Sequence, residues 1–337
     1  RERDPLLQMK HATRIADLGI EVVDRVIATA KSWKAEPHRK HLQDKILGMV
    51  FFNPSLRTRA SFEAVMLRGG GHAVVFEAGT GTWKLEDRIG AVMNEDRAEH
   101  LKEAVPVLSR FVDALAVRSF AGGRDDEADL RDTVMHSFCE YATVPTVSME
   151  SAREHPCQGL ADLMTIEEQF GLTKGLPVTL TWAPHIKPLP KAVPNSFLLT
   201  AAARGCNIHV AHPKGFELHP EIIREAESYA QATGGSITVG HRQDPAMKDA
   251  RAVYAKSWGP SSVAHLETNA VAHHPEWMMS WRQMEKAAKD AIFLHCLPVR
   301  RNVEVADDVL DGPQSRVIDE AENRFHVQRA LLDWLLN

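Results

Sequence analysis

Within five residues, Ser55, Arg57, Thr58 and Arg59 set two hydroxyls and two guanidinium groups directly behind an apolar run, residues 46–52. The run reads as a buried strand that stops at Asn53-Pro54, and Ser55 is placed to cap a helix. A strand that turns straight into a helix leaves free backbone N–H groups at its exit, at the positive end of the helix dipole. Such a turn is an anion site, and arginine adds fixed charge in a fork that matches phosphate. There is no Gly-rich run and no G-x-x-x-x-G-K, so a small phosphorylated ligand fits better than a nucleotide in a P-loop. Taken alone, the segment is also compatible with a capped helix carrying surface arginines.

Other groups follow apolar segments in the same way. Arg118 ends residues 114–117, where it can reach into a cleft or face solvent. His155-Pro156-Cys157-Gln158 follows residues 145–149 and precedes a helix, and its His and Gln offer a donor and an amide to a polar carbonyl ligand. His295-Cys296-Leu297-Pro298 closes the run 291–295. Cys296 with a histidine base would be a nucleophile, yet no Gly-x-Cys turn is present, and a site-lining thiol is the better reading. Glu150, His185 and Lys256 also follow strands, where they suit the ends of a zwitterionic or acidic substrate, or else an ion pair at a domain seam. Arg300 adds charge just beyond the last strand, and Trp83 sits in a Gly/Thr loop able to close over a ligand. Asp319 and Glu320 suit the dipole at the start of the last helix, from which Arg324 can point back to the anion site.

An alternating series of elements must hold these groups. The pattern predicts a helix over 12–35, the strand 46–52, a helix 55–68 ended by Gly69-Gly70-Gly71, a strand 73–77, and a short strand 114–117 between helices that run up to 144. After residue 150 it predicts strands 178–182, 207–211, 237–239, 252–255 and 291–295, helices 159–170, 195–204 and 220–233, and a final helix 320–336. This is the α/β pattern of parallel sheets. A chain of 337 residues suits two domains, expected over 1–150 and 151–318, with 319–337 a C-terminal helix. Ligands of such folds gather at the C-terminal ends of the strands, so the candidate groups share one cleft.

Composition narrows the classes further. The net charge of −5 argues against a nucleic-acid binder. No apolar run approaches ~20 residues, so no membrane span is expected, and no signal-peptide core follows Arg1-Glu2-Arg3-Asp4. Cys139, Cys157, Cys206 and Cys296 are too far apart for a C-x-x-C pair, which disfavours a disulfide framework or zinc site and fits a reducing cytoplasm. His273-His274 lies in a polar, Pro-containing stretch and reads as a solvated loop.

Over nearly its full length the chain resembles the aspartate/ornithine carbamoyltransferase superfamily. Residues 55–59 match its S-x-R-T-R signature, 155–158 match H-P-x-Q, and 295–298 match H-C-L-P, in that order. Ornithine carbamoyltransferases carry S-M-G in the second domain. Here Tyr254-Ala255-Lys256-Ser257-Trp258 stands instead, with Thr181-Trp182-Ala183-Pro184-His185 and Ser148-Met149-Glu150. These look like the N-acylornithine carbamoyltransferases, whose acceptor has an uncharged, acylated α-amine and needs no carboxylate partner for it.

The resemblance implies a carbamoyl phosphate site of Ser55, Leu56, Arg57, Thr58, Arg118, His155, Gln158, Cys296, Leu297 and Arg324, completed by Trp83 from the adjacent subunit of a homotrimer. Arg57, Thr58, His155 and Cys296 are then the catalytic set. It implies acylornithine contacts from Glu150, His185, Lys256, Leu297 and Arg300. Ala98 falls on the acyl-specificity position, where acetyl enzymes have Glu and succinyl enzymes Pro; alanine lacks the anion that would repel a succinyl carboxylate. Glu304 falls where acetyl enzymes carry a lysine that becomes carboxylated. The resemblance further implies no metal or organic cofactor, a C-terminal helix returning to the first domain, a knotted second domain, and a cytoplasmic role in arginine biosynthesis. The wording at 81–86, 182–185 and 193–197 looks closer to the succinyl enzymes. The expected reaction is carbamoylation of N-succinyl-L-ornithine to N-succinyl-L-citrulline, with N-acetyl-L-ornithine or ornithine as alternative acceptors.

Overall fold

The computed structural model describes residues 9–36, 39–123, 125–261 and 273–337. From the N-terminus, α1 (Ile15–Trp33) leads to β1 (Ile46–Phe51), α2 (Leu56–Gly69) and β2 (His72–Glu77). Two short strands, β3 (Lys84–Glu86) and β4 (Arg97–His100), precede α3 (Leu101–Leu108), β5 (Ala114–Arg118), α4 (Asp126–Arg131), α5 (Thr133–Tyr141) and β6 (Thr146–Glu150). The second half runs α6 (Pro156–Phe170), β7 (Pro177–Trp182), α7 (Ala192–Ala203), β8 (Asn207–Ala211), α8 (Pro220–Thr233), β9 (Ser236–Gly240), α9 (Gln243–Met247), β10 (Ala252–Lys256) and β11 (Ile292–Leu294), and ends in the helix Val317–Leu336.

Two main parallel sheets result, as the alternating pattern predicts, beside a two-stranded parallel pair, β3-β4. The first has the order β2-β1-β5-β6 and the second β11-β10-β7-β8-β9. Their central strands are near-continuous apolar runs: β5 and β10 are buried at every position. That pattern requires helices on both faces of a sheet, which parallel crossovers supply. Helices α6 and α7 are buried almost throughout and pack closely on each other. Gly159 permits the approach, since an added Cβ would sit 2.4 Å from Thr200 Oγ1 and 2.7 Å from Ser196 O. The C-terminal helix lies on α6, α1 and α2, and Arg329 ties it to the end of α1 by donating to Trp33 O at 3.0 Å and Glu36 O at 2.6 Å.

Several bounds shift from the sequence reading. Pro156 opens α6 three residues early, because proline suits the first helical position; α7 and the C-terminal helix also begin three residues sooner. β3, β4 and α9 were not anticipated, since three to five residues are too few to show a period. His274 is no solvated loop residue: its ring meets Trp182 and Phe216 edge-on, centroids 5.7 and 5.6 Å apart. Among the described residues no helix is long and apolar enough to cross a membrane.

Candidate active site

β1 ends where α2 begins, and Ser55 caps the helix by accepting from Thr58 N at 3.3 Å. The first turn of α2 carries no acidic residue, so its N–H groups and dipole stay available to an anion. Arg57, half-buried, points no bond at any carboxylate among the described residues. Burial lowers its pKa from the ordinary value, and Arg118 adds to the effect. Arg118, the last residue of β5, is buried beside it; its Nη1 donates to Glu150 Oε2 at 2.7 Å, and its guanidinium lies 4.5 Å from the Phe120 ring centroid. Arg324 comes from the C-terminal helix, with Nη1 donating to Gln158 Oε1 at 2.8 Å and Nη2 to Thr58 Oγ1 at 3.2 Å. Arg59 does not join them. Two positions along a helix it faces the other way, where it pairs with Glu63 at 3.3 Å and Glu77 at 2.5 Å.

His155 caps α6 and is anchored by its backbone N–H, which donates to Ser196 Oγ at 2.6 Å. Burial pushes its pKa well below 6.5, with Arg324 and Arg118 adding, so the ring is neutral and can serve one donor to a carbonyl oxygen. Burial drives the Cys296 thiol up to about 12, which disfavours a thiolate nucleophile at neutral pH and supports Cys296 as lining. Next to it Leu297 holds φ of 55°, a left-handed conformation costly for leucine, while its N–H donates to His295 Nδ1 at 3.0 Å.

Across the cleft stand His185, Lys256 and Arg300. Arg300 Nε donates to His185 Nε2 at 3.1 Å, so the ring proton sits on Nδ1 and goes to Lys187 O at 2.9 Å. Lys256 ends β10, is buried, and makes no ion pair among the described residues. Glu304 Oε2 accepts from Arg300 N at 2.7 Å, and its other oxygen lies 3.7 Å from His295 Nε2. Burial acts to raise the Glu304 pKa, but His295 and Lys256 outweigh it and the net direction is down. Arg59 and His295 apart, the candidate groups above line one cavity of about 630 Å³, together with Ser55, Leu56, Thr58, Glu150 and Gln158. Trp83 and Ala98 are not there. Trp83 is 60% exposed and donates to Glu99 Oε2 at 2.8 Å, and Ala98 is exposed on β4.

Residues 10–168 match the aspartate/ornithine carbamoyltransferase carbamoyl-P binding domain, and residues 190–335 the Asp/Orn binding domain. The chain belongs to the aspartate/ornithine carbamoyltransferase family. It is 40% identical to the N-succinylornithine carbamoyltransferase of Bacteroides thetaiotaomicron, covering 94% of this chain and 95% of that one. It is 37% identical to the N-acetylornithine carbamoyltransferase of Xanthomonas campestris pv. campestris, covering 97% of each. Its backbone matches, with a TM-score of 0.93 and 38% identity over 97% of this chain and 100% of the other, an N-acetyl-L-ornithine transcarbamylase. In that structure one glutamate is replaced by alanine, and carbamyl phosphate and N-succinyl-L-norvaline are bound.

Beneath the candidate anion site of this carbamoyltransferase lies a layer that sequence reasoning missed. Gln158 Nε2 donates to Asp162 Oδ1 at 2.8 Å and to Glu320 Oε1 at 3.1 Å, and Glu320 Oε2 accepts from His295 N at 2.9 Å. Glu320 is thus a buried support for both the 155–158 and 295–298 segments, rather than a solvent-facing match to the dipole. The i, i+4 spacing of Gln158 and Asp162 was the available signal for half of it. Burial raises the Asp162 pKa to about 7, and burial followed by the Asp162 charge holds Glu320 well above the usual carboxylate range. The folded state therefore keeps protons that the unfolded chain releases. Stability from this pair is full below the ordinary carboxylate range and is lost as pH rises towards 7 and beyond. Glu320→Gln, which fixes the neutral form, is expected to flatten the slope of unfolding free energy between pH 4.5 and 7 by up to about 1.4 kcal/mol per pH unit. Urea melts across that range, with an unchanged slope counting against the assignment, check it.

Proposed function

We propose that this carbamoyltransferase carries the carbamoyl group of carbamoyl phosphate to the δ-amine of N-succinyl-L-ornithine, giving N-succinyl-L-citrulline and phosphate, in the cytoplasm. One observation carries the donor half: Arg57 and Arg324 converge on the N-terminus of α2 with no carboxylate hydrogen-bonded to either among the described residues. Cationic groups left without a protein anion in a cleft call for an anionic ligand. Arg57, Arg118 and the α2 N–H groups hold the phosphate. Thr58, the neutral His155 and the backbone near Cys296 and Leu297 hold the carbamoyl group. The neutral δ-amine attacks the carbonyl carbon, and the preplaced donors stabilise charge growing on its oxygen. Collapse breaks the C–O bond to phosphate, which leaves with the amine proton, so no protein base is required. Alignment of the two reactants supplies much of the rate.

Lys256, His185 and Arg300 suit the carboxylates of the acceptor. For the acyl group, Ala98 supplies no negative charge at the specificity position. The neighbour that binds N-succinyl-L-norvaline is likewise a glutamate-to-alanine variant, which favours the succinyl reading. The 40% identity to a succinylornithine enzyme agrees. A second reading, N-acetyl-L-ornithine, draws on the likeness to acetyl enzymes. Assay of succinylornithine, acetylornithine, ornithine and putrescine, each with carbamoyl phosphate, decides: the highest kcat/KM should fall to succinylornithine, and preference for acetylornithine would overturn the acyl assignment alone.

The working unit in this proposal is a homotrimer whose neighbouring subunit lends Trp83 and Ala98. In its support, Trp83, Ile89, Val92 and Met93 are 42–77% exposed within one short segment, a concentration of large exposed apolar side chains that suits a subunit contact. Trp83→Ala is expected to leave the melting temperature unchanged and to raise KM for carbamoyl phosphate about tenfold. Steady-state kinetics beside sedimentation of the wild type test this; a monomer in solution, or an unchanged KM, would refute it.

A further inference from the structure

Away from the cleft, the second sheet holds a donor cluster that carbamoyl transfer does not use. β8 and β9 pair in register to their last residues, Ala211 opposite Gly240. The next residue on each strand is a histidine, His212 and His241, so strand pairing itself delivers two imidazoles side by side, with ring centroids 5.1 Å apart. Glu217, from the loop before α8, faces them. One ligand atom from each of the three lies within 4.8 Å of the others, and none of the three lines the carbamoyl-transfer cleft.

The hydrogen bonds around the cluster set the tautomers of its rings. His212 Nδ1 lies 2.8 Å from Pro213 O, and His241 Nδ1 lies 3.3 Å from His212 O. A carbonyl oxygen only accepts, so each Nδ1 carries a proton, and in the neutral form of each ring Nε2 keeps a free lone pair. This is the arrangement by which backbone carbonyls fix the tautomer of metal-binding histidines. Glu217 Oε1 accepts from Gly215 N and Oε2 from Ser261 Oγ, both at 2.9 Å, which orients an ionised carboxylate. Among the described residues the carboxylate makes no hydrogen bond or ion pair with either ring. Two imidazoles and one carboxylate suit zinc and its late first-row neighbours, whereas magnesium and calcium want oxygen donors alone. Bonds of about 2.0–2.1 Å require the donors to close by roughly 1 Å. His241, exposed at the rim, is free to make that movement while buried His212 stays fixed.

We infer that His212, Glu217 and His241 form a zinc-type divalent metal site, separate from the reaction, that clamps the exits of β8 and β9 to the loop before α8. The loop is already tied inward: Lys191 Nζ donates to Glu217 O at 3.1 Å, and Trp258 Nε1 to Phe216 O at 2.7 Å. Trp182 Nε1 in turn donates to Trp258 O at 2.9 Å, three residues before His185 of the cleft. A metal bound only by the folded chain raises its stability by mass action.

The test uses the full chain stripped with a chelator and titrated with zinc alone, followed by calorimetry and thermal melts. The wild type is expected to take up one equivalent at this site and to melt at a higher temperature. His241→Ala and Glu217→Gln should each weaken that binding at least about tenfold, while His241→Ala keeps full carbamoyl transfer without added metal. Cobalt in place of zinc should give a visible spectrum lacking a thiolate charge-transfer band, which separates this site from binding at Cys296. No binding by the wild type at millimolar zinc, or losses below tenfold in both variants, would overturn the inference, as would a thiolate band that survives in His241→Ala.

Discussion

Alanine at Arg57 is expected to lower kcat/KM for carbamoyl phosphate by about 10³-fold and to leave the unfolding free energy within about 0.5 kcal/mol of wild type. The two halves of this result come from one observation. Arg57 is half-buried in the cleft, close enough to Arg118 for the two charges to disfavour each other, and among the described residues no protein carboxylate bonds to it. Among the described residues its removal costs no hydrogen bond, and it relieves a like-charge contact. What it removes is the guanidinium proposed to engage the phosphate. Arg324 makes the contrast. It donates to both Gln158 and Thr58, so Arg324→Ala should lose stability together with activity, by about 1–3 kcal/mol for the buried partners left unpaired. Arg57→Lys keeps the charge but not the fork, and should fall between wild type and alanine. Initial rates and melts on the same preparations test the set. Activity of Arg57→Ala within tenfold of wild type would remove the anion-site assignment.

What could be read from the sequence follows the range of the interactions. The strand-to-helix turn was legible because a strand exit, a capping serine and an arginine lie within a few consecutive residues and fix one another locally. His155 and His295 were legible for the same reason, as polar groups set at the ends of apolar runs. The error at Arg59 was avoidable, since two residues along a helix turn a side chain to the opposite side. Glu320 was beyond local reasoning. Its partners Gln158 and His295 are 162 and 25 residues away, and an acidic residue in a first helical turn looks the same whether the dipole or a buried partner selects it. β3 and β4 escaped because strands of three and four residues carry no period, and their charged composition resembles a loop. Trp83 and Ala98 stand on that same segment. Their chain folds without bringing them to its own cleft, so a role for them depends on a second copy of the surface.

That dependence makes Ala98→Glu the sharpest test of the acyl assignment. The substitution is expected to reduce kcat/KM for N-succinyl-L-ornithine by about 10²-fold while changing that for N-acetyl-L-ornithine by less than about threefold. Two unit charges of the same sign about 4 Å apart repel by roughly 4 kcal/mol at an effective dielectric near 20; screening at a site that opens to solvent brings this nearer to 2–3 kcal/mol, the range of a hundredfold. The acetyl group carries no charge and escapes the penalty. Ala98 is exposed on β4 in its own chain, so the introduced carboxylate costs the fold nothing of note. Ala98→Gln supplies the same bulk without the charge: if Gln and Glu depress succinylornithine turnover equally, size rather than charge governs the position. If neither changes the ratio of the two acceptors, β4 of the neighbouring subunit does not reach the acyl group, and the preference must be sought among Lys187, Leu189 and Pro190 on the cleft's own wall.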